Sequence, residues 1–266
     1  AAAAAIADAA TNGRGGLGTV TVRSAGNDAQ AGDDVNTHSY YNNRYTLVFG
    51  ATDRDGNVQP FSNPSASLSV VTPGTATSWS APLGSATAAL MLEANPELGY
   101  RDVITIMSLT ARLTDADGAG WSTNAATGWN GGGLHTSRGA GFGLVDAFAA
   151  VRLAESWGAQ STEGNRAEAT AVGVGEAVIS DGGAISQVVR IDEDLRVERA
   201  ELHLDIDHEK AGDLVITLIS PEGTESVLLD QLQFGAYAGG GGIDFTLTST
   251  QFLWENSRGD WTLRVE

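Results

Sequence analysis

The sequence predicts a molecule in two parts, an α/β unit at the front and an all-β sandwich or jelly roll behind it. Three observations lead there. Up to Trp157, short runs of strand type alternate with helical patterns. A stretch rich in Ala, Gly, Glu and Thr, 158–175, then carries no periodicity and reads as a linker. Beyond it the apolar residues recur at every second position between turn signals, as in Leu202, Leu204 and Ile206. The expected divisions are therefore 1–157, the linker 158–175, and 176–266, the last ending on a strand.

Composition sets outer limits. Of 266 residues, 42% are hydrophobic, enough to fill real cores. There is no cysteine, so disulfides and thiolate metal sites are excluded. The formal net charge of −18 comes from 33 acidic against 15 basic residues, Lys210 being the single lysine. Such a chain repels nucleic acid and anionic membrane surfaces. It contains no apolar run long enough to span a membrane as a helix, which takes about 18 residues or more.

Taken in order, Ala1 to Ala10 read as the tail of a helix that Asn12-Gly13 ends; Asp8 and the lack of a basic leader argue against a signal-peptide core. Gly18 to Ser24 is a strand, closed by the turn Ala25-Gly26-Asn27-Asp28. A polar loop with Asp33, Asp34 and His38 leads to a second, buried strand, Tyr45 to Thr52. Ser69 to Thr72 is a third strand before the turn at Pro73-Gly74.

From Thr75 to Pro96 small and apolar residues follow almost without interruption, and no stripe of the run is polar. A helix here is expected to be buried on all sides. Ser78 would stand at its start as a cap, and Asn95-Pro96 would close it. A hydroxyl at that end is also well placed for a nucleophile, because free amides and the helix dipole favour a developing oxyanion. Alone, Ser78 reads as a plain cap. Tyr100 to Ala111 is a second helix, Thr114 to Gly133 a Gly/Asn/Asp-rich loop, and Asp146 the helix-start carboxylate of a helix reaching Trp157. In the rear part, Ser220-Pro221-Glu222-Gly223 joins two strands as a hairpin, and Trp261, Leu263 and Val265 continue the alternation. Asp205, Asp207 and Asp213 read as a solvated face.

Several motifs carry a resemblance. Thr77-Ser78-Trp79-Ser80-Ala81-Pro82, Gly26-Asn27 and Gly141-Phe142-Gly143-Leu144-Val145-Asp146-Ala147 resemble the subtilisin-like serine proteases, in particular the kexin and furin branch. Gly212-Asp213-Leu214, Ser220 to Thr224 and Gly259-Asp260-Trp261 resemble the P domain of the proprotein convertases. The resemblance implies the C-terminal portion of an α/β subtilisin-like catalytic domain, followed by an all-β jelly-roll or sandwich P domain that packs on it. It implies Ser78 as nucleophile and Asn27 as oxyanion donor. It puts Asp33 and Asn63 at calcium-ligand positions and His38 at the floor of the substrate pocket, with His38 and Asn63 standing where the family has acids. Ala76 replaces the usual glycine, at an expected cost of about 1 kcal/mol or more.

In that family the catalytic Asp and His precede the oxyanion asparagine, so they are expected before residue 1. The parent protein would then be a secreted bacterial serine endopeptidase acting on protein or peptide substrates, extracellular or periplasmic, with calcium as its cofactor. These 266 residues alone are expected to be inactive. The competing reading is a catalytically inactive subtilase-derived binding or adhesion module with a β-sandwich domain.

Overall fold

The structure, a computed structural model, describes residues 2–173, 178–179, 182–232 and 242–266. Helix α1 (Ala2–Asn12) ends where Arg14 and Gly15 turn left-handed, at φ 53° and 68°. Strands β1 (Thr21–Ser24), β2 (Thr46–Thr52) and β3 (Val70–Pro73) form a parallel sheet in the order β1-β2-β3. Every residue of β2 is buried, as an unbroken run between two covered faces requires.

Helix α2 (Thr77–Ala94) lies back across the sheet on Thr77, Ser80, Gly84, Thr87, Ala88 and Met91. Gly84 makes that approach possible, since a Cβ there would stand 2.0 Å from the Phe49 ring. The opposite face is open: Trp79 is 68% exposed and Leu83 and Leu90 about half exposed. The expected all-round burial is therefore not met. The sheet and a later helix pack against one side of α2, while Trp79 and Leu83 on the other stay open to solvent; α3 (Tyr100–Thr110) joins the same core.

The loop expected at Thr114 to Gly133 contains a small hairpin, β4 (Ser122–Thr123) with β5 (His135–Thr136), around a single turn α4 (Thr127–Asn130). Helix α5 (Ala147–Glu155) starts as expected, with Asp146 accepting from the amide of Ala149 at 2.9 Å. Leu47, Phe49, Met91, Ile106 and Phe142 anchor the front core.

The stretch read as a linker is strapped to α3. Asp102 accepts from Trp157 Nε1 at 2.9 Å and from the amide of Ser161 at 2.8 Å. Tyr100 donates its hydroxyl to Glu163, and Arg44 grips both Glu168 and Glu201. Residues 174–177, which include the expected start at 176, lie outside the described residues.

Behind it come β6 (Ile185–Ile191), β7 (Ala200–Ile206), β8 (Val215–Ile219), β9 (Glu225–Asp230), β10 (Ile243–Ser249) and β11 (Gly259–Val265). They form an antiparallel sheet β6-β11-β8-β9 and a pair β10-β7. Leu204, Ile216, Leu228, Leu247, Phe252 and Trp261 fill the space between. The hairpin of β8 and β9 turns at Ser220 to Thr224 as expected, with Gly223 at φ 91°.

Front and rear halves meet through side-chain amides bonded to backbone. Asn36 Nδ2 donates to the carbonyls of Leu228 and Thr248, each at 3.0 Å, and its Oδ1 accepts from the amide of Thr248. Asn124 donates to the carbonyls of Gln251 and Leu253. Leu253 enters the front core and Ala66 the rear one.

Candidate active site

Ser78 is exposed at the second position of α2, and the N-cap is Ala76. At φ −160° and ψ 153° Ala76 is simply extended, a conformation open to any residue. The strain expected from losing glycine there is absent.

Thr77, fully buried, ties this helix start to the turn after β1. Its amide donates to Asn27 Oδ1 at 2.9 Å, and its hydroxyl donates to the same oxygen at 3.1 Å while accepting from the amide of Gly26. Asn27 is thereby locked with its oxygen on the helix, which leaves the exposed Nδ2 without a partner among the described residues. The Ser78 amide, in the first turn of α2, has no carbonyl partner either. Two N–H groups without partners among the described residues, on Asn27 and Ser78, and the Ser78 hydroxyl therefore belong to the turn and the helix start that Thr77 joins. Sequence reasoning singled out Ser78 and Asn27 and gave Thr77 no role. A hydroxyl directly before Ser78 was the available signal.

Gly26 must be glycine, having φ 106° and a virtual Cβ 2.3 Å from Asn63 Nδ2. Beneath it lies Asp33, only 5% exposed. His38 Nε2 stands 2.9 and 3.0 Å from its two oxygens, and Asn63 Nδ2 donates to Oδ2 at 2.6 Å. Asn63 keeps its own oxygen on the amide of Asp28, 2.8 Å away. Calcium takes oxygen ligands, with several carboxylates among them in tight sites. Here Asp33 meets nitrogens, and Asn63 presents N–H rather than C=O. The expected calcium ligands Asp33 and Asn63 therefore do not fit the ion as arranged. Among the described residues no group of three His, Asp or Glu is placed to hold a metal. His38, expected at the pocket floor, has its ring turned onto Asp33 and edge-on to Tyr41. Next to it, burial pushes the Asp34 carboxyl up from its ordinary value, and Arg138 at 2.7 Å works the other way.

The four histidines are engaged elsewhere than at Ser78. His38 faces Asp33, His135 packs edge-on to Trp121, His203 faces Asp244, and His208 accepts from the amide of Lys210. No histidine of this chain is bonded to the Ser78 hydroxyl, so no imidazole here activates it.

Residues 1–143 match the profile of the Subtilase family, and residues 197–266 match that of the Proprotein convertase P-domain. Furin of Mus musculus is 30% identical over 292 residues, covering 96% of this chain and 35% of that protein. Proprotein convertase subtilisin/kexin type 5 of Branchiostoma californiense is 30% identical over 294 residues, covering 97% of this chain and 17% of that one. The crystal structure of a serine protease of Aeromonas sobria superposes with a TM-score of 0.83 at 21% identity, over 98% of this chain and 60% of that one, a likeness of fold. The chain spans about a third of the length of the furins it matches, 34–35% of each. The chain belongs to the subtilase family, with a P-domain of the proprotein convertase kind at its rear.

Proposed function

We propose that this chain is the nucleophile-bearing portion of a serine endopeptidase. Ser78 attacks the peptide carbonyl, and Asn27 Nδ2 with the Ser78 amide receives the oxyanion. A histidine and an aspartate from outside these residues move and orient the proton. One observation carries the reading: Thr77 fixes Asn27 against the helix that presents Ser78, so donors and hydroxyl stand together. The open apolar face of α2, with Trp79 and Leu83, supports it as the surface on which the rest of a catalytic domain packs. The polypeptide follows a secretory route of a bacterium to an extracellular or periplasmic site. The division into 1–157, 158–175 and 176–266 stands as its domain plan, the rear unit bracing the front one through Asn36 and Asn124. Calcium, which the family resemblance implies as cofactor, is not assigned to Asp33 and Asn63.

The pocket is not selective for arginine through this region. Asp33 spends its charge on His38, and Arg23 stacks on Tyr40 at 3.8 Å and adds positive charge near the loop. The test uses the complete polypeptide, with its upstream region, on peptides carrying Arg, Leu or Ala before the cleaved bond. Hydrolysis that Ser78→Ala abolishes, with similar kcat/KM for Leu and Arg, is expected. Full activity in Ser78→Ala would refute the assignment. The reading as a non-catalytic module draws on the absence of a histidine bonded to Ser78. A fluorophosphonate probe separates the two, labelling Ser78 in the complete polypeptide only if it is an enzyme.

A further inference from the structure

The loop from Asp28 to Asn42 closes around one buried carboxylate whose every approach is taken by a donor. On Asp33, Oδ1 receives His38 Nε2 at 2.9 Å and the amide of Asp34 at 3.0 Å, while the nearby Thr37 hydroxyl donates to the carbonyl of Asp34 at 2.8 Å. Oδ2 receives Asn63 Nδ2 at 2.6 Å and His38 Nε2 at 3.0 Å. A carboxylate oxygen has room for about two such partners, so neither is left open. The orientation of Asn63 is fixed by its surroundings. Its Oδ1 accepts from the amide of Asp28, so reversing the side-chain amide would set N–H against N–H and C=O against carboxylate. Asn63 is 1% exposed and lies under the backbone of Gly26, where no side chain fits.

We infer that His38 and Asn63 do for Asp33 what a bound cation would do, so this chain orders the loop beneath its candidate oxyanion site without calcium. The donors supply the counter-dipoles and the buried position keeps water from competing. The consequence reaches the junction, because Asn36 projects from the same loop onto the backbone of β9 and β10. The arrangement also explains why two positions that offer acids in the resembled family carry a nitrogen-bearing side chain here: each supplies a side-chain donor to a buried carboxylate that otherwise receives the Asp34 amide.

The experiment melts the 266-residue chain and its variants in millimolar calcium chloride and in EDTA, with calcium titrated into the wild type by calorimetry. The wild type is expected to melt at one temperature in both and to take up no calcium at Asp33. His38→Ala is expected to melt lower by roughly 4–10 °C. Calcium should recover part of that loss, because the carboxylate then lacks a donor. His38→Gln keeps an N–H within reach of Asp33 and is expected to lose no more than about half as much. A wild-type calcium uptake that Asp33→Asn removes would overturn the inference without any His38 variant having to fold. An unchanged melting temperature in His38→Ala would overturn it as well. Melting and calorimetry read the loop itself, so the result stands apart from whether Ser78 hydrolyses peptides.

Discussion

Thr77 carries no reacting atom, yet its amide and its hydroxyl decide where Asn27 points. In a catalytically complete polypeptide, Asn27→Ala should lower kcat on the order of 10²- to 10³-fold, a magnitude established on a member of this family and taken over from it. Thr77→Val keeps the amide contact and loses the hydroxyl one, so the fall in kcat should be smaller, about five- to tenfold. Both should leave KM nearly unchanged, since the oxyanion exists only in the transition state. A Thr77→Val enzyme with wild-type kcat would show that Asn27 holds its place unaided. His135 supplies a pH test at the same scale. Burial holds its imidazole below the ordinary 6.5, and its hydrogen bond with the Phe142 backbone works the other way. The folded chain favours the neutral ring, so this contribution to stability is complete above about pH 6.5 and is lost as pH falls through the lowered value. His135→Gln should flatten the acid side of a plot of denaturation midpoint against pH, and profiles that stay parallel would contradict it. Ser78 and Asn27 were legible as candidates, each carried by its own short motif. The role of Asn63 was not, because which end of its amide faces Asp33 depends on the amide of Asp28, a contact 35 positions away in the chain.

Helix α3 organises more of the chain than its length suggests. Asp102, 1% exposed, accepts from the amides of Gly99 and Ser161 and from the Trp157 indole, so one carboxylate caps the helix and pins the segment that follows α5. Asp102→Ala leaves these donors unpaired and should cost about 2–4 kcal/mol, read as a lower denaturation midpoint. The same change should release the strap, so that limited trypsin cuts at Arg166 at least about tenfold faster than in the wild type. Equal cutting rates would mean that Arg166 is held by its own pairs with Glu163 and Glu168. The pattern of the segment invited the reading of a linker, since Ala, Gly, Glu and Thr without period carry no sign of tertiary anchoring. Elements defined by local pattern fared better: β2 by its unbroken apolar run, α3 by its apolar face, the β8–β9 hairpin by Pro221 and Gly223. Helix α2 closed at Asn95 as expected, whereas its N-cap is Ala76 and Ser78, read as the cap, is the second helical residue. The open face of α2 was misjudged because the absence of a polar stripe tells which surfaces need cover, and not which part of a polypeptide supplies it.

Across the whole molecule, the junction depends on a few amides inserted between sheets. Strands β9 and β10 belong to different sheets, and Asn36 bridges them by binding the carbonyl of Leu228 on one and both backbone groups of Thr248 on the other. Asn36 is fully buried, so no water competes for those groups. Asn36→Ala therefore strands backbone donors and acceptors, and the loss should total about 3–5 kcal/mol. Asn36→Asp retains the oxygen that accepts from Thr248 but turns a second oxygen, with charge, onto two carbonyls. It should be the more damaging change despite its matching shape. Calorimetry should give one transition for the wild type, because front and rear cores share Leu253 and Ala66 across the junction. In Asn36→Asp that transition should move down and divide, the rear sheets melting apart from the α/β sheet. If Asn36→Asp melts as one unit at the temperature of Asn36→Ala or above it, the bridge is not what couples the halves, and the contacts of Asn124 and Thr250 carry that coupling instead.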